Sequence, residues 1–391
     1  MSAPSSVVVV GAGQAGASLV QTLRGQGYRG PITLIGAEPE LPYQRPPLSK
    51  KYLLGALSAE RLALKPPSYY AEAEVVVRPG TEVRGIDRAA QEVVLCDETR
   101  LPYGALALTT GAPPRLLPAS VGGALDGVFA MRTKADADRL APEIAPQRQA
   151  LVVGGGYIGL EAAAVFAQKQ MRVTMLQRGP RLLNRVACAE TAAFLADLHR
   201  SHGVEIRTET ALARLEGRSR VEAAVLSDGT RLAVDLVLVG IGVEPQTELA
   251  AAAGLALDNG IAVDGRCATS DPAIFAAGDC ASFPYEGRRL RLESVQNAVD
   301  QGAHAARAML GDDAPYRPVP WFWSDQYNAR LQIAGLGQGH DRIITRPGHR
   351  AGGRSFWYYR GKRLLAVDAV SDPKAYMQGR RWIEAGVSPD P

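Results

Sequence analysis

Two short stretches restrict what this chain can fold into more than anything else in it. VVVVGAGQAG (residues 7–16) and LVVGGGYIGLE (151–161) each join an apolar strand to a helix through a G-x-G-x-x-G turn. The glycines are Gly11, Gly13 and Gly16, then Gly154, Gly156 and Gly159. Such a turn lets backbone N–H groups and a helix N-terminus close on a pyrophosphate. One copy is weak evidence. Each of these is followed at the expected distance by a second strand, PITLIGAE and RVTMLQ. Two units 143 residues apart predict two dinucleotide folds in one chain. Glycine-rich turns that hold no ligand are the competing reading.

The bulk properties agree. A chain of 391 residues exceeds one ordinary core, so two or three domains are expected. With 46% hydrophobic and 21% charged residues, the composition is that of a soluble globular protein. A net charge of +4 is too mild to argue for nucleic acid. The N-terminus lacks the basic start and apolar core of a signal peptide, and no apolar run reaches the roughly 18 residues of a membrane span. Cys96, Cys188, Cys267 and Cys280 form no C-x-x-C pair and no zinc cluster with the five histidines, so no metal site is expected. A cytoplasmic protein with reduced thiols follows, binding neither membrane nor nucleic acid.

The remaining segments place motifs on elements. EVVVRPGTEVRGID (74–87) and the run from Glu92 to Arg115 read as β-hairpins and a returning strand, and 205–243 repeats that pattern. AIFAAGD (273–279) is a strand ending on an acid, and residues 293–310 read as a helix with small residues on one face. From about residue 314 the segments WFWSDQYNARLQIAGL, RSFWYYR and KRLLAVDAV are aromatic and strand-like, and AYMQGRRWIEAG closes the chain as a short helix. That tail holds 12 Lys and Arg against 6 Asp and Glu, so the rest of the chain is slightly acidic.

Several positions carry chemistry. Glu38 lies 22 residues after Gly16, placed to accept hydrogen bonds from an adenosine ribose, so an adenine dinucleotide is expected there. A surface glutamate is the alternative. LPYQRPPLSKKYL (41–53) is a proline-stiffened loop charged by Arg45 and Lys50. A lysine held near a flavin can hydrogen-bond the ring and balance charge on its reduced form; a plain basic loop fits the same residues. Asp279, in T-x-D-P-x-I-F-A-x-G-D spacing, resembles the second FAD fingerprint of two-dinucleotide flavoproteins. The helix start at Glu293–Gln296 would favour negative charge on the pyrimidine edge of a reduced flavin.

PYQRPPLSK, TTGAPPR, GGGYIGLE, IFAAGDCA, ESVQNAVDQ and PWFWSDQY occur in order along nearly the whole chain. Together they resemble the FAD-dependent ferredoxin reductases of bacterial oxygenase systems, the putidaredoxin reductase and biphenyl dioxygenase reductase type. The resemblance implies an α/β protein with two Rossmann-like domains of glutathione-reductase type plus a C-terminal α/β domain. Residues 1–113 and 247–313 would bind FAD, 114–246 would bind NAD(P), and 314–391 would form the interface domain. It implies hydride transfer from NADH to FAD, then single electrons to a small acidic [2Fe–2S] ferredoxin that feeds a P450 or Rieske oxygenase. It leaves open a monomer or weak dimer. Ala15, Glu38, Lys50, Val83, Arg132, Asp279 and Val295 match FAD contacts of the family. Gly156, Ile158, Glu161 and Gly242 match positions at the nicotinamide nucleotide. Glu161 also matches the family glutamate that pairs with the loop lysine, here Lys50. Trp321 and Trp323 match aromatics on the flavin's open side, with ordinary packing as the other reading. Disulfide reductases of this architecture carry a reactive Cys near the first turn; residues 41–53 have none, which excludes a dithiol relay. A rubredoxin reductase, or an NADH-responsive flavoprotein like apoptosis-inducing factor, are the rival functions.

At the end of RVTMLQ, where NAD-binding folds place an acid, stand Gln177 and Arg178. Gln177 can still hydrogen-bond a ribose but carries no charge to repel a 2′-phosphate, and Arg178 could bind one. NADH is expected, with NADPH possible. Arg330, Arg354, Arg360, Arg380 and Arg381 could steer the acidic ferredoxin.

Overall fold

The computed structural model describes residues 3–390. They form two compact units. One holds the described residues up to Gln44 with Glu60–Pro113 and Glu244–Pro320; the other holds Arg45–Ala59, Pro114–Val243 and the chain from Trp321 on.

The first unit is built on a five-stranded parallel sheet in the order Ile274–Ala276, Ala105–Leu108, Val7–Val10, Ile32–Ile35, Val75–Arg78. Its two central strands, VVVV and ALAL, are unbroken apolar runs because both faces are covered. All four residues of Val7–Val10 and of Ala105–Leu108 are buried. Val7–Val10 has Ile32–Ile35 on one side and Ala105–Leu108 on the other. Strand order therefore reverses beside the first glycine turn, where open α/β sheets form their ligand crevice.

The second unit repeats the plan with Glu205–Thr208, Arg172–Gln177, Gln149–Val153, Leu236–Val239 and Val128–Phe129, all parallel. Each unit interposes an antiparallel three-stranded sheet before its returning strand. In the first these are Val83–Asp87, Glu92–Leu95 and Arg100–Pro102; in the second, Leu212–Glu216, Ala223–Leu226 and Arg231–Ala233. The hairpin expected over 74–87 does not form. Val75–Arg78 instead pairs in parallel with Ile32–Ile35, while Val83–Asp87 pairs with Glu92–Leu95. The Pro79–Gly80 step reads as a hairpin turn, but Gly80 donates its N–H to the Glu38 carbonyl at 2.8 Å and leads the chain out of the sheet.

The helix Val295–Met309 packs on Gln14–Gly25 within the first unit. Its small-residue face allows this: a Cβ on Gly302 would lie 2.4 Å from the Ala15 carbonyl oxygen. The C-terminal residues form a five-stranded antiparallel sheet in the order Trp321–Gln326, Ala329–Gly335, Arg363–Val370, Arg354–Arg360, Arg342–Pro347. The helix Pro373–Glu384 covers it, with Trp382 5.5 Å from the buried Trp357. The edge strand Arg342–Pro347 has no counterpart among the strands expected from sequence.

Candidate functional site

The two glycine turns have one geometry. A Cβ at Gly11 (φ +114°) would lie 2.2 Å from the Thr109 carbonyl oxygen, and one at Gly16 would lie 2.2 Å from the Gly11 oxygen. In the second turn, Gly154 (φ +111°) would meet the Gly240 oxygen at 2.2 Å and Gly159 the Gly154 oxygen at 2.1 Å. The middle glycines differ: a Cβ on Gly13 or Gly156 meets nothing within 4 Å. The outer two glycines are thus required by the chain itself, while the middle one borders open space. Gly13 and Gly156 also cap the helices Gln14–Gly25 and Tyr157–Gln168, and neither helix receives a side-chain cap. The N–H groups of those first turns, Ala15 and Ile158 among them, are left to a ligand. This fits the pyrophosphate of a dinucleotide at each turn. Ile158, a large aliphatic residue 43% exposed on such a turn, agrees with a ligand-facing position.

The first unit adds further groups. Glu38 follows the strand Ile32–Ile35 by three residues and accepts a hydrogen bond from Tyr43 at 2.5 Å. Asp279 follows Gly278 (φ +86°), which lies against Ala15: a Cβ there would be 3.0 Å from that of Ala15. The Gly278 N–H donates to Gln301 at 2.9 Å, which ties the Asp279 turn to the long helix. Val295 is that helix's first residue, because Ser294 is extended (φ −148°, ψ 147°) and its hydroxyl accepts from the Asn297 N–H. Glu293 therefore lies outside the helix. Val83 opens the strand Val83–Asp87.

The second unit contains the charged pair. The loop segment forms a helical turn, Leu48–Tyr52, whose backbone departs from helix at Lys50 (φ −133°, ψ −110°). The Lys50 Nζ lies 2.7 Å from Oε2 of Glu161, which is 3% exposed on the helix Tyr157–Gln168. Ser49 donates to the same oxygen at 2.6 Å, and Ser324 donates to Oε1 at 2.7 Å. Removing a carboxylate from water is costly, and these three donors replace the lost hydration. Ser324 reaches Glu161 because side chains alternate along Trp321–Gln326. Phe322 packs at a tilt against Tyr157, ring centroids 4.3 Å apart, and Ser324 meets Glu161, while Trp321 and Trp323 lie together on the opposite face, 5.6 Å apart. The Arg380 guanidinium stands 5.4 Å from the Trp321 ring. Arg45 donates to the Arg132 carbonyl at 2.8 Å, just before the capping box of Lys134–Leu140.

At the other end, Gln177 closes the strand Arg172–Gln177 and its Oε1 accepts the Gly155 N–H at 3.0 Å. That bond fixes which way the side-chain amide faces. Arg178 is exposed. Gly242 (φ +107°) accepts from the Arg115 N–H at 2.9 Å. All four cysteines are free, and burial pushes the thiols of Cys188, Cys267 and Cys280 up, Cys267 to about 12. These three are protonated at neutral pH and poor nucleophiles.

Residues 5–302 match the family described as pyridine nucleotide-disulphide oxidoreductase, and 321–391 match the reductase C-terminal family. The chain belongs to the pyridine nucleotide-disulphide oxidoreductases. Within them its similar relatives are ferredoxin reductases. It is 42% identical to putidaredoxin reductase of Pseudomonas putida, over 98% of this chain and 92% of that one. It is also 42% identical to rhodocoxin reductase of Rhodococcus erythropolis, over 96% and 88%. Among solved structures, the covalent putidaredoxin reductase–putidaredoxin complex superposes with a TM-score of 0.96 at 41% identity, covering 100% of this chain and 95% of that one. A ferredoxin reductase from Rhodopseudomonas palustris gives 0.95 at 36% identity, covering 99% and 96%. The family name refers to disulphides, yet the thiols here are unpaired.

Several residues escaped the sequence reading. Ser49 and Ser324 lie inside quoted motifs, next to residues that were singled out, but nothing in a linear sequence ties them to Glu161. Thr109, whose hydroxyl donates to the Gly11 carbonyl at 2.8 Å, and Gln301 also lie inside those motifs, and nothing local marks them as braces of the first turn.

Proposed function

We propose that the chain is an FAD-dependent NAD(P)H:ferredoxin reductase that works in the cytoplasm and supplies a [2Fe–2S] ferredoxin, and through it an oxygenase. The observation that carries this is the duplicated turn: two uncapped helix N-termini, each with an open middle glycine, in a chain of ferredoxin reductase ancestry.

Residues 1–113 and 247–313 are assigned FAD. Gly11, Gly13, Ala15 and Gly16 would bind its pyrophosphate, Glu38 its adenosine ribose and Asp279 its ribityl or phosphate region. Val83, Arg45, Arg132 and Val295 are assigned as further FAD contacts. Residues 114–246 are assigned the nicotinamide nucleotide, through Gly154, Gly156, Ile158, Gly159, Gly242, Gln177 and Arg178. Residues 314–391 form the third functional part, with Trp321 lining the flavin. When bound, FAD accepts a hydride from NADH and releases its electrons singly, which matches a two-electron donor to a one-electron acceptor. Lys50 would hydrogen-bond the isoalloxazine ring while Glu161 fixes the ammonium and balances its charge. Backbone N–H groups hold phosphates, and no general acid–base pair is required.

The test is anaerobic reduction of the purified flavoprotein by NADH, followed by cytochrome c reduction through added [2Fe–2S] ferredoxins. Rapid turnover with a ferredoxin is expected. Reduction of rubredoxin but no ferredoxin would overturn the reading in favour of a rubredoxin reductase. Slow turnover with NADH-induced dimerisation would favour a switch protein.

A further inference from the structure

Glu161 does not end at its three donors. The Ser324 hydroxyl oxygen lies 3.2 Å from Nε2 of Gln326, Gln326 Oε1 lies 2.9 Å from Nε2 of His199, and His199 Nδ1 lies 3.2 Å from the Tyr327 hydroxyl. Ser324, Gln326 and His199 are 0–1% exposed. The direction of every bond follows from the anionic end. A carboxylate only accepts, so Ser324 donates to Glu161. The serine oxygen must then accept, which turns the Gln326 amide nitrogen toward it and its carbonyl toward His199. That carbonyl requires Nε2–H on His199, and the neutral ring leaves Nδ1 to accept from Tyr327. Burial drives His199 toward the neutral form, its pKa down to about 4.

The outer end is held as deliberately. Tyr327 is the first residue of the two-residue turn between Trp321–Gln326 and Ala329–Gly335, at φ +53°. A bulky residue is disfavoured there, where glycine, asparagine or aspartate is usual. Its ring stacks on His202 at 3.7 Å, and its hydroxyl meets His199.

We propose that Tyr327, His199, Gln326 and Ser324 form a one-way donor chain that positions Glu161, and that His199 and Gln326 are positioning residues for the Lys50–Glu161 pair. Aligned donors polarise one another, so the chain sharpens the carboxylate's orientation beyond what Ser324 alone could supply. It also makes the pair depend on the helix Ala189–Ser201, which carries His199. The proposal rests on the role given above to Lys50 and Glu161.

The experiment measures flavin reduction by saturating NADH, per bound FAD, in Gln326→Leu, His199→Leu, His199→Gln and Tyr327→Phe, each alone and combined with Glu161→Gln. Gln326→Leu and His199→Leu should slow reduction about tenfold with nucleotide affinity unchanged, the scale of one buried hydrogen bond. His199→Gln, which can still donate to Gln326, should recover most of that loss. In the Glu161→Gln background the same substitutions should add little, because their effect runs through that carboxylate. Full additivity, or wild-type rates in both leucine variants, overturns the inference. Should a leucine variant fail to fold, Tyr327→Phe, which removes the outermost donor, runs the same cycle: it should slow reduction severalfold alone and add little in the Glu161→Gln background. If Glu161→Gln itself leaves reduction unslowed, the role of the charged pair falls, and the inference with it. If Glu161→Gln slows reduction and the chain variants do not, only the inference falls.

Discussion

Gly13 and Gly16 differ in what they serve, although one motif contains both. A Cβ on Gly16 would press on the Gly11 carbonyl at 2.2 Å, whereas one on Gly13 meets no atom of the chain within 4 Å. Gly16→Ala should therefore destabilise the apoprotein by about 1–3 kcal/mol. Gly13→Ala should leave its melting temperature close to wild type and still weaken FAD retention, because the methyl enters the space assigned to phosphate. Thermal melts of apoprotein beside flavin content after gel filtration separate the two. Gln177 makes an equally local statement. With Oε1 held by the Gly155 N–H, its amide N–H groups would be placed to meet a ribose or a 2′-phosphate if the nicotinamide nucleotide binds as proposed. Gln177→Glu restores an acceptor and a charge that repels phosphate. The ratio of kcat/KM for NADH to that for NADPH should rise at least about tenfold. A wild-type preference for NADH beyond about a thousandfold would rule out relaxed discrimination at this position.

The helix Ala189–Ser201 joins the second unit's parallel sheet to its antiparallel one through two buried titratable groups. His199 bonds Gln326, and Thr191 donates to Asp368 at 2.7 Å, with Tyr358 donating to the same carboxylate. Burial shifts both groups toward neutrality: His199 down to about 4, Asp368 up to about 6. Their effects on stability have opposite signs. For His199 the folded pKa lies below the unfolded one, so its contribution is present above pH 6.5 and lost as pH falls toward 4. For Asp368 the folded pKa lies above the unfolded one, so its contribution is present at low pH and lost as pH rises through 6. Each shift corresponds to about 3 kcal/mol, and the two offset each other between pH 6 and 4. Asp368→Asn should steepen the loss of stability over that interval, and His199→Gln should reverse it to a gain. Urea midpoints across the range measure both.

At the scale of the whole molecule, charge is unevenly placed. From residue 314 on, 12 basic residues face 6 acidic ones in a chain whose net charge is only +4. Some of these arginines are engaged: Arg330 pairs with Asp325 at 3.6 Å, and Arg354 lies 5.9 Å from the Phe194 ring. An exposed ion pair or ring contact leaves the long-range field of the segment positive. Electron transfer to an acidic ferredoxin should slow about tenfold between roughly 20 and 200 mM salt. A rate independent of ionic strength over that range would remove steering from the account.

The sequence alone determined the two dinucleotide folds, the glycines that shape their turns, and the Lys50–Glu161 pairing through a family resemblance. The folds and the glycines rest on short-range sterics and on element periodicity, which a linear pattern displays directly; the pairing came from the resemblance alone. It misplaced Val75–Arg78, because the Pro79–Gly80 step imitates a hairpin turn, and passed over Arg342–Pro347, an edge strand whose partial burial leaves no apolar run of the kind that marks an inner one. Tertiary structure decided which way the Gln177 amide faces, and that Glu161 rests on Ser49 and Ser324. It also tied His199, 127 residues before Gln326, into the same network. Hydrogen bonds of this kind join side chains that only folding brings within 3 Å, and the direction of each depends on its neighbour's. No window of sequence contains that information.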